Sequence, residues 1–528
     1  MRQKAILFAL CVFFVGVGSY LRLRESGFEV NNARFVTTHS PLDSSHVLLK
    51  SDSQPKPYNL TRQIDIPTDS DISQLNFFES NTYTLIPNFE KSAHASTLVD
   101  LDSRLMVLFF AGSKEGARDV KIYQSFLPKG SVHWSEPRAI LDAPTLSRLS
   151  GKFIKKLGNP IAFRDSLNRV HVFVVGVSLG GWATSKVYQF LFDENFEGLQ
   201  YKGELHLGAF LNFSHLVRTP AVALENGGFM LPLYHELANK YPLVAFFDAD
   251  SKLLFTKRLN SLKSQLQPSI IALNESECLA MFRIHRGYEN KAFLQKCKDF
   301  GNTWEAPVQS NIQNFDSSSV LLALPKNPPK TPLKNPKQAQ KDSKKSQKPQ
   351  NTQSQEPQEP KSEVLLIHND GLNNPLLSMY DLFYEKVRIH PRASISLFYL
   401  RDAEKGIFER LMTIDALKSG EVSYPSASLD SQNLYITYTY DRAQIKYSVI
   451  PLDSIFELIR QSRESPQEIE SARDISLVKP QNALQDSQNS ADSQNPQFQQ
   501  DLLDDDEDLP QKGDFMQIIE YHYMSDVG

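Results

Sequence analysis

Cysteine is scarce in this chain. Three occur among the 528 residues, at positions 11, 278 and 297, and none is spaced as a zinc ligand would be. A metal site would need histidine and carboxylates, and no such cluster stands out, so neither a metal nor another cofactor is expected. An excess of charge is lacking too. The formal net charge is −4, which gives no reason to expect a nucleic-acid partner. Sustained helical periodicity is missing until Asp453–Ser462, and with it the βα alternation of a doubly wound fold. That absence decides one motif. Gly176-Val177-Ser178-Leu179-Gly180 has the Gly-x-Ser-x-Gly form of a hydrolase nucleophile elbow. An elbow leads into a helix, whereas Val187–Phe192 alternates like a strand, so a serine hydrolase is set aside.

What is present is aromatic and strand-like, with 33 Phe and 19 Tyr. Residues 1–24 form a signal or anchor segment. Ala5–Leu21 is apolar or small, with Arg2 and Lys4 before it and Arg22 and Arg24 after it. No polar c-region follows the run. The preferred reading is therefore an uncleaved inner-membrane anchor with the body in the periplasm; cleavage after Ser19, leaving a secreted or periplasmic body, is the alternative. Residues 25–75 read as a polar tether. From 76 to 460 come short apolar runs bounded by turn residues, among them Leu105–Ala111, Val170–Gly176, Phe229–Leu233, Leu279–Ile284 and Leu434–Tyr440. Residues 325–362 are a Lys/Pro/Gln-rich insert expected to be disordered. They join Ser319–Leu324 to Val364–Ile367, two runs expected to pair within one blade. Residues 463–513 read as a disordered acidic tail and 514–528 as a short apolar terminal segment. With the insert set aside, about 58 residues remain for each blade of a six-bladed propeller. The expected fold is all-β, a six-bladed β-propeller.

Two local features sharpen this. Cys278 and Cys297 flank a hairpin whose turn centres near Gly287-Tyr288, which puts them opposite one another on antiparallel strands. Outside the cytoplasm such a pair can oxidise; two buried thiols are the other reading. Just after it stands Asp299-Phe300-Gly301-Asn302-Thr303-Trp304. Asp opens a turn by accepting hydrogen bonds within it, Gly301 suits positive φ, and Trp304 can pack back under the turn. The pattern resembles the Asp-box of sialidases and other β-propellers, with Asp299, Gly301 and Trp304 as its structural positions. His133-Trp134-Ser135-Glu136-Pro137 echoes Thr303-Trp304-Glu305-Ala306-Pro307 as a weak internal repeat.

Further stretches follow in order: Gly112–Val120, Gly158-Asn159-Pro160, Arg218-Thr219-Pro220, Tyr234-His235-Glu236, Leu266-Gln267-Pro268-Ser269, Met281-Phe282-Arg283, Asn373-Asn374-Pro375 and Ser423-Tyr424-Pro425-Ser426. Together they resemble the sialidase-like (BNR, Asp-box) superfamily over about 76–450. The bacterial membrane-linked branch, with the sialidase-like component of Kdo hydrolases, is the most similar part of it. The resemblance implies an exo-glycosidase for a 2-keto-3-deoxy sugar acid, Kdo or sialic acid, on envelope glycan or lipopolysaccharide, acting beside a membrane protein partner. Such a sugar carries a carboxylate on its anomeric carbon. Arginine forks suit that carboxylate, and a Tyr nucleophile avoids the repulsion a carboxylate nucleophile would meet.

On this resemblance Tyr424 stands at the nucleophile position and Arg283 at the second arginine of the clamp. Arg218 and Arg442 are further clamp candidates, with Tyr234 and Asn373 as other substrate contacts. Strand alternation puts Tyr234 and Glu236 on one face, and Glu236 is the expected partner of the Tyr. Glu115 and Asp119, in the loop after the first clear strand, are acid candidates. His94 reads as structural. Three family positions are not matched. Lys91-Ser92-Ala93-His94 replaces a blade-one Arg-Ile-Pro, Asn373-Asn374-Pro375 stands where a third arginine is usual, and Ala272-Leu273 where a Glu precedes the second arginine. A non-catalytic, membrane-tethered glycan-binding or scaffold propeller therefore stays open as the alternative.

Overall fold

The computed structural model describes residues 33–37, 82–208, 212–324, 362–378, 381 and 389–464. The expected anchor, insert, acidic tail and terminal segment lie outside the described residues but for an edge residue or two, as does most of the tether. Among the described residues no helix is long and apolar enough to cross a membrane.

Six antiparallel sheets follow one another. The first strand, β1 (Thr82–Ile86), belongs to the last of them. Blade one is β2 (Ser92–Asp100), β3 (Arg104–Gly112), β4 (Lys121–Pro128) and β5 (Arg138–Asp142). Helix α1 (Ala143–Ser150) leads into blade two: β6 (Lys156–Arg164), β7 (Val170–Val177), β8 (Ser185–Phe192) and β9 (Leu199–Glu204). Blade three holds β10 (His215–Leu216), β11 (Val222–Ala223), β12 (Phe229–His235), β13 (Tyr241–Phe247) and β14 (Leu253–Arg258). Blade four holds β15 (Gln265–Ala272), β16 (Cys278–Ile284), β17 (Lys291–Lys298), β18 (Thr303–Trp304) and β19 (Val308–Gln313). Blade five is β20 (Val320–Ala323), β21 (Val364–Asn369), β22 (Ser394–Asp402) and β23 (Ile407–Ala416). Blade six is β24 (Val422–Leu429), β25 (Asn433–Tyr440), β26 (Gln444–Pro451) and β1. The molecule is a six-bladed β-propeller whose ring is closed by pairing the first strand with the last.

Burial explains the sequence pattern. β3 and β7 lie mid-blade with both faces covered by neighbouring blades, so they read as unbroken apolar runs. Outer β9 alternates between half-buried and exposed positions. The core lies in layers between blades. Phe110, Leu157, Val174 and Phe190 fill the space between blades one and two, and Phe173, Phe229, Leu231 and Phe247 the space between two and three. The innermost strands instead carry small buried polar side chains such as Ser96, Ser269, Ser423 and Ser426.

Several details depart from the sequence reading. Helix α1 was not expected, being too short to show a period. Its signals are local: Asp142 accepts the Thr145 N–H at 2.8 Å, proline sits in the first turn, and Gly151 follows at φ +66°. Within the stretch read as a tether, residues 33–37 are packed against the propeller. Phe35 is fully buried, bridges to Leu224 and donates its N–H to the Glu275 carbonyl at 2.8 Å. The runs flanking the insert do pair, Val320 opposite Ile367. A second unit begins at Ile459, and its described residues are the last turns of helix α2 (Leu452–Glu464).

Candidate active site at the mouth of the propeller

Innermost strands begin at one end of the ring, here called the mouth end. Four of them, β2, β6, β15 and β24, break register within a few residues of that end. The residues left out of the ladder start at Ala95, Gly158, Gln267 and Tyr424. Ala95, Gln267 and Tyr424 have φ of +52°, +44° and +53°. Bulges re-aim side chains, and non-glycine residues at positive φ mark stored strain. Here they turn Gln267 and Tyr424 toward each other. Proline follows directly in Gln267-Pro268 and Tyr424-Pro425, and this short repeat is the sequence trace of the device.

Tyr424 is the centre of what the bulges assemble. Its hydroxyl accepts a hydrogen bond from Arg283 Nη1 at 2.8 Å. Gln267 Nε2 lies 3.5 Å from the same oxygen and 3.4 Å from the Tyr234 hydroxyl, at the long limit of hydrogen bonding. The guanidinium carbons of Arg218, Arg283 and Arg392 stand 5.0, 6.0 and 6.0 Å from the Tyr424 ring centre. The His94 ring packs on the Tyr424 ring with centroids 4.2 Å apart.

Carboxylates hold most of these cations. Asp316 Oδ1 takes Arg283 Nε at 2.6 Å, and its Oδ2 lies 3.0 Å from His285 Nδ1. Glu421 takes Arg442 Nε at 2.7 Å and Arg392 Nη1 at 3.3 Å, and Arg442 Nη1 also reaches Glu115 at 2.6 Å. Burial alone would raise the Asp316 and Glu421 carboxyls. Arg283 and His285 at the first, and Arg392 and Arg442 at the second, more than offset it, so both are held far below the usual carboxylate range. Arg218 differs. It is 2% exposed and donates to the carbonyls of Pro425 (2.9 Å) and Ser96 (3.3 Å). Among the described residues no carboxylate pairs with it, and its Nε has no partner. Burial pushes it down to about 10, so it stays charged at neutral pH. A buried guanidinium without a counter-ion beside an aromatic ring can receive an anion.

The expected residues are now placed. Arg283, Arg218 and Tyr424 come together, with Arg442 one carboxylate away through Glu421. Tyr234 is buried, and its hydroxyl shares Gln267 with Tyr424. Glu236 stands in the loop after β12 with Lys240 Nζ at 3.8 Å. Its carboxylate does not bond Tyr424; burial pushes its carboxyl up. Glu115 is tied to Arg442. Asp119 accepts Ser113 N and Oγ at 3.0 and 2.9 Å, an exposed loop brace. Asn373 donates to Asp370 at 2.8 Å in an exposed turn after β21. His94, read as structural, is buried with both ring nitrogens unpartnered. Burial first, then Arg442, keeps it neutral. Arg392, Gln267, Asp316 and Glu421 were missed. Arg392 had one signal, a basic residue two positions before the apolar run Ser394–Tyr399.

Asp-box and disulfide sit elsewhere. In the turn from β17 to β18 Asp299 accepts the Thr303 hydroxyl at 2.8 Å, Gly301 has φ +85°, and Trp304 Nε1 donates to the Gly301 carbonyl at 2.9 Å. This turn is at the end opposite the mouth. Trp134 holds the matching place in blade one: Ser135 N–H bonds Phe126 as Glu305 N–H bonds Lys296. Cys278 and Cys297 face each other in register and are joined. A cavity of about 540 Å³ also opens opposite the mouth, near Asp100, Lys129 and Asp430.

Residues 103–436 match the family model described as a BNR repeat-like domain. The chain belongs to this sialidase-like BNR superfamily. Its BNR match runs from β3 to β25 and contains every member of the Tyr424 cluster except His94 and Arg442. No protein of curated function matches the chain. Among solved structures, a Trypanosoma rangeli sialidase in complex with sialic acid has 11% identity and a TM-score of 0.49, covering 72% of this chain and 60% of its own. A Hadza microbial sialidase has 13% identity and a TM-score of 0.48, covering 69% of this chain and 66% of its own. A protein of unknown function from Dyadobacter fermentans has 13% identity and a TM-score of 0.48, covering 70% of this chain and 99% of its own. This chain thus spans less than two thirds of either sialidase.

Proposed function

We propose that this BNR propeller is an exo-glycosidase that releases a 2-keto-3-deoxy sugar acid, Kdo or sialic acid, from envelope glycan or lipopolysaccharide. The observation that carries the reading is the buried Arg218, without a carboxylate partner among the described residues, beside a Tyr424 hydroxyl held at 2.8 Å by Arg283. The sugar carboxylate takes the place of the missing counter-ion on Arg218, with Arg283 and Arg392 flanking it. Tyr424, its phenol proton released to solvent water, attacks the anomeric carbon as the bond to the leaving oxygen breaks, and water then hydrolyses the glycosyl-tyrosine to free the sugar acid. Donors on the Tyr424 oxygen stabilise negative charge there as it forms. Glu236, whose carboxyl burial favours in the protonated form, serves the leaving oxygen as acid. The body acts in the periplasm, held by the N-terminal apolar run and working beside a membrane protein.

One observation favours a different reading. Gln267, not a carboxylate, is the side chain beside Tyr424, and an amide cannot take the phenol proton. A propeller that binds sugar acids without cleaving them fits that arrangement. The experiment is incubation of membranes carrying wild type or Tyr424→Phe with Kdo-lipid A and with a sialoside, followed by assay of free sugar acid. Release that Tyr424→Phe abolishes is expected. Release that survives the substitution removes Tyr424 as nucleophile. No release from either substrate, with binding lost in Arg218→Met, establishes the binding reading instead.

A further inference from the structure

Beside the mouth, the top of blade two carries apolar side chains that no described residue covers. Among the described residues the most exposed large apolar side chains are Leu179 at 69%, Phe89 at 66% and Phe153 at 62%, and all three lie at the mouth end. Phe153 and Leu179 are neighbours by register. Lys156 pairs with Val177, and Lys155 extends that ladder by donating to the Val177 carbonyl at 2.8 Å. The two residues flank this last rung on diverging turns. Leu149, 43% exposed, projects from the last turn of α1, while Leu146 of the same helix packs over Gly176.

Charge around these tips is predominantly positive. Lys152 and Lys186 meet the buried Glu204 at 2.6 and 3.0 Å, which neutralises one charge between them. Arg148 and Lys155, and Lys114 and Arg118 on the adjoining loop, have no ion pair with a described residue. The exposed acid on that loop is Asp119, since Glu115 is held by Arg442. Apolar tips that protrude singly from convex turns, ringed by lysine and arginine, suit insertion among anionic headgroups. They do not form the flat packed patch of a protein interface. We propose that the mouth end of blade two docks on an anionic lipid bilayer, with Phe153 and Leu179 entering the headgroup layer. This goes beyond the glycosidase reading and does not depend on it.

The test uses the full chain in a Cys11→Ser background, with Cys278 and Cys297 left joined. Ser178→Cys at the mouth end, or Val132→Cys at the opposite end, carries a polarity-sensitive fluorophore. Vesicles are phosphatidylcholine alone or mixed equally with phosphatidylglycerol. Attachment through the N-terminal apolar run would bring both probes near the bilayer alike, so the difference between them is the readout. On anionic vesicles the probe at 178 shifts to shorter wavelength and is shielded from an aqueous quencher, while the probe at 132 is not. Phe153→Asp with Leu179→Asp lowers the shielded fraction by about tenfold or more. Equal responses at the two probes, no response at 178, or the same response on neutral vesicles would each overturn the proposal. No sugar release is measured, so an inactive protein leaves the result intact.

Discussion

Replacing Arg283 by methionine tests the electrostatics of the mouth directly. Arg283 is 6% exposed, and its guanidinium holds Asp316 at 2.6 Å and the Tyr424 hydroxyl at 2.8 Å. The second bond joins a cation to a neutral hydroxyl, and Tyr424→Phe should cost only about 1–2 kcal/mol. The first matters more. Arg283→Met leaves a buried carboxylate with His285 as its neighbour. Removing one partner of a buried pair costs about 3–5 kcal/mol, most of it the stranded charge. That figure should appear in urea denaturation at pH 7. The pH dependence gives the sharper check. In the wild type the Asp316 carboxyl is depressed, so its contribution is present above the unfolded value near 4 and is lost as pH falls toward the folded value. In Arg283→Met burial dominates and the carboxyl is raised, so the folded state binds the proton first. The variant then regains stability as pH falls, and the gap to wild type narrows between pH 7 and about 4. Asp316→Asn in the variant background should relieve the penalty at pH 7. A cost below about 1 kcal/mol, a gap constant with pH, or no relief from Asp316→Asn would refute this account.

Three further outcomes follow from other sites. Glu421→Gln leaves Arg392 and Arg442 without their shared carboxylate and should cost about 2–4 kcal/mol at pH 7. Because the Glu421 carboxyl is depressed, wild type and variant should converge as pH falls below about 4, followed by denaturation across pH. Gly301→Ala places a Cβ 2.8 Å from the Met230 sulfur at φ +85°, so it should destabilise blade four by about 1–3 kcal/mol in thermal melts without touching the mouth. Cys278→Ser with Cys297→Ser opens a cross-link 19 residues long and should lower stability by about 3 kcal/mol. Wild type under reducing conditions should fall to the same value.

The propeller was legible because its middle strands are covered on both faces. Unbroken runs such as Leu105–Ala111 and Val170–Gly176 need no partner information to be seen. Facing positions of Cys278 and Cys297 followed from hairpin symmetry alone. The mouth was legible only where a residue type is unusual for its place, as Arg283 is at the end of an apolar strand. Glu421, Asp316 and Arg392 depend on pairings between blades 29 to 76 residues apart, which no local spacing encodes. Glu236 was chosen as partner of Tyr424 by strand alternation. The bulge at Gln267 breaks that alternation on the neighbouring blade and brings an amide there instead. The signal was present in Gln267-Pro268-Ser269 and Tyr424-Pro425-Ser426, stretches that share a form because they share a bulge.

The closing blade has a consequence for how the protein comes into being. β1 meets β26 across more than 360 residues, Thr82 opposite Val449, so this pairing waits for nearly the whole chain to be made. Tyr424 and Glu421 belong to the same late blade. An arc of five blades therefore holds Arg218, Arg283 and Arg392 without the Tyr424 hydroxyl, and Arg392 without Glu421. The cluster at the mouth is therefore complete only once blade six, the last to be synthesised, has formed.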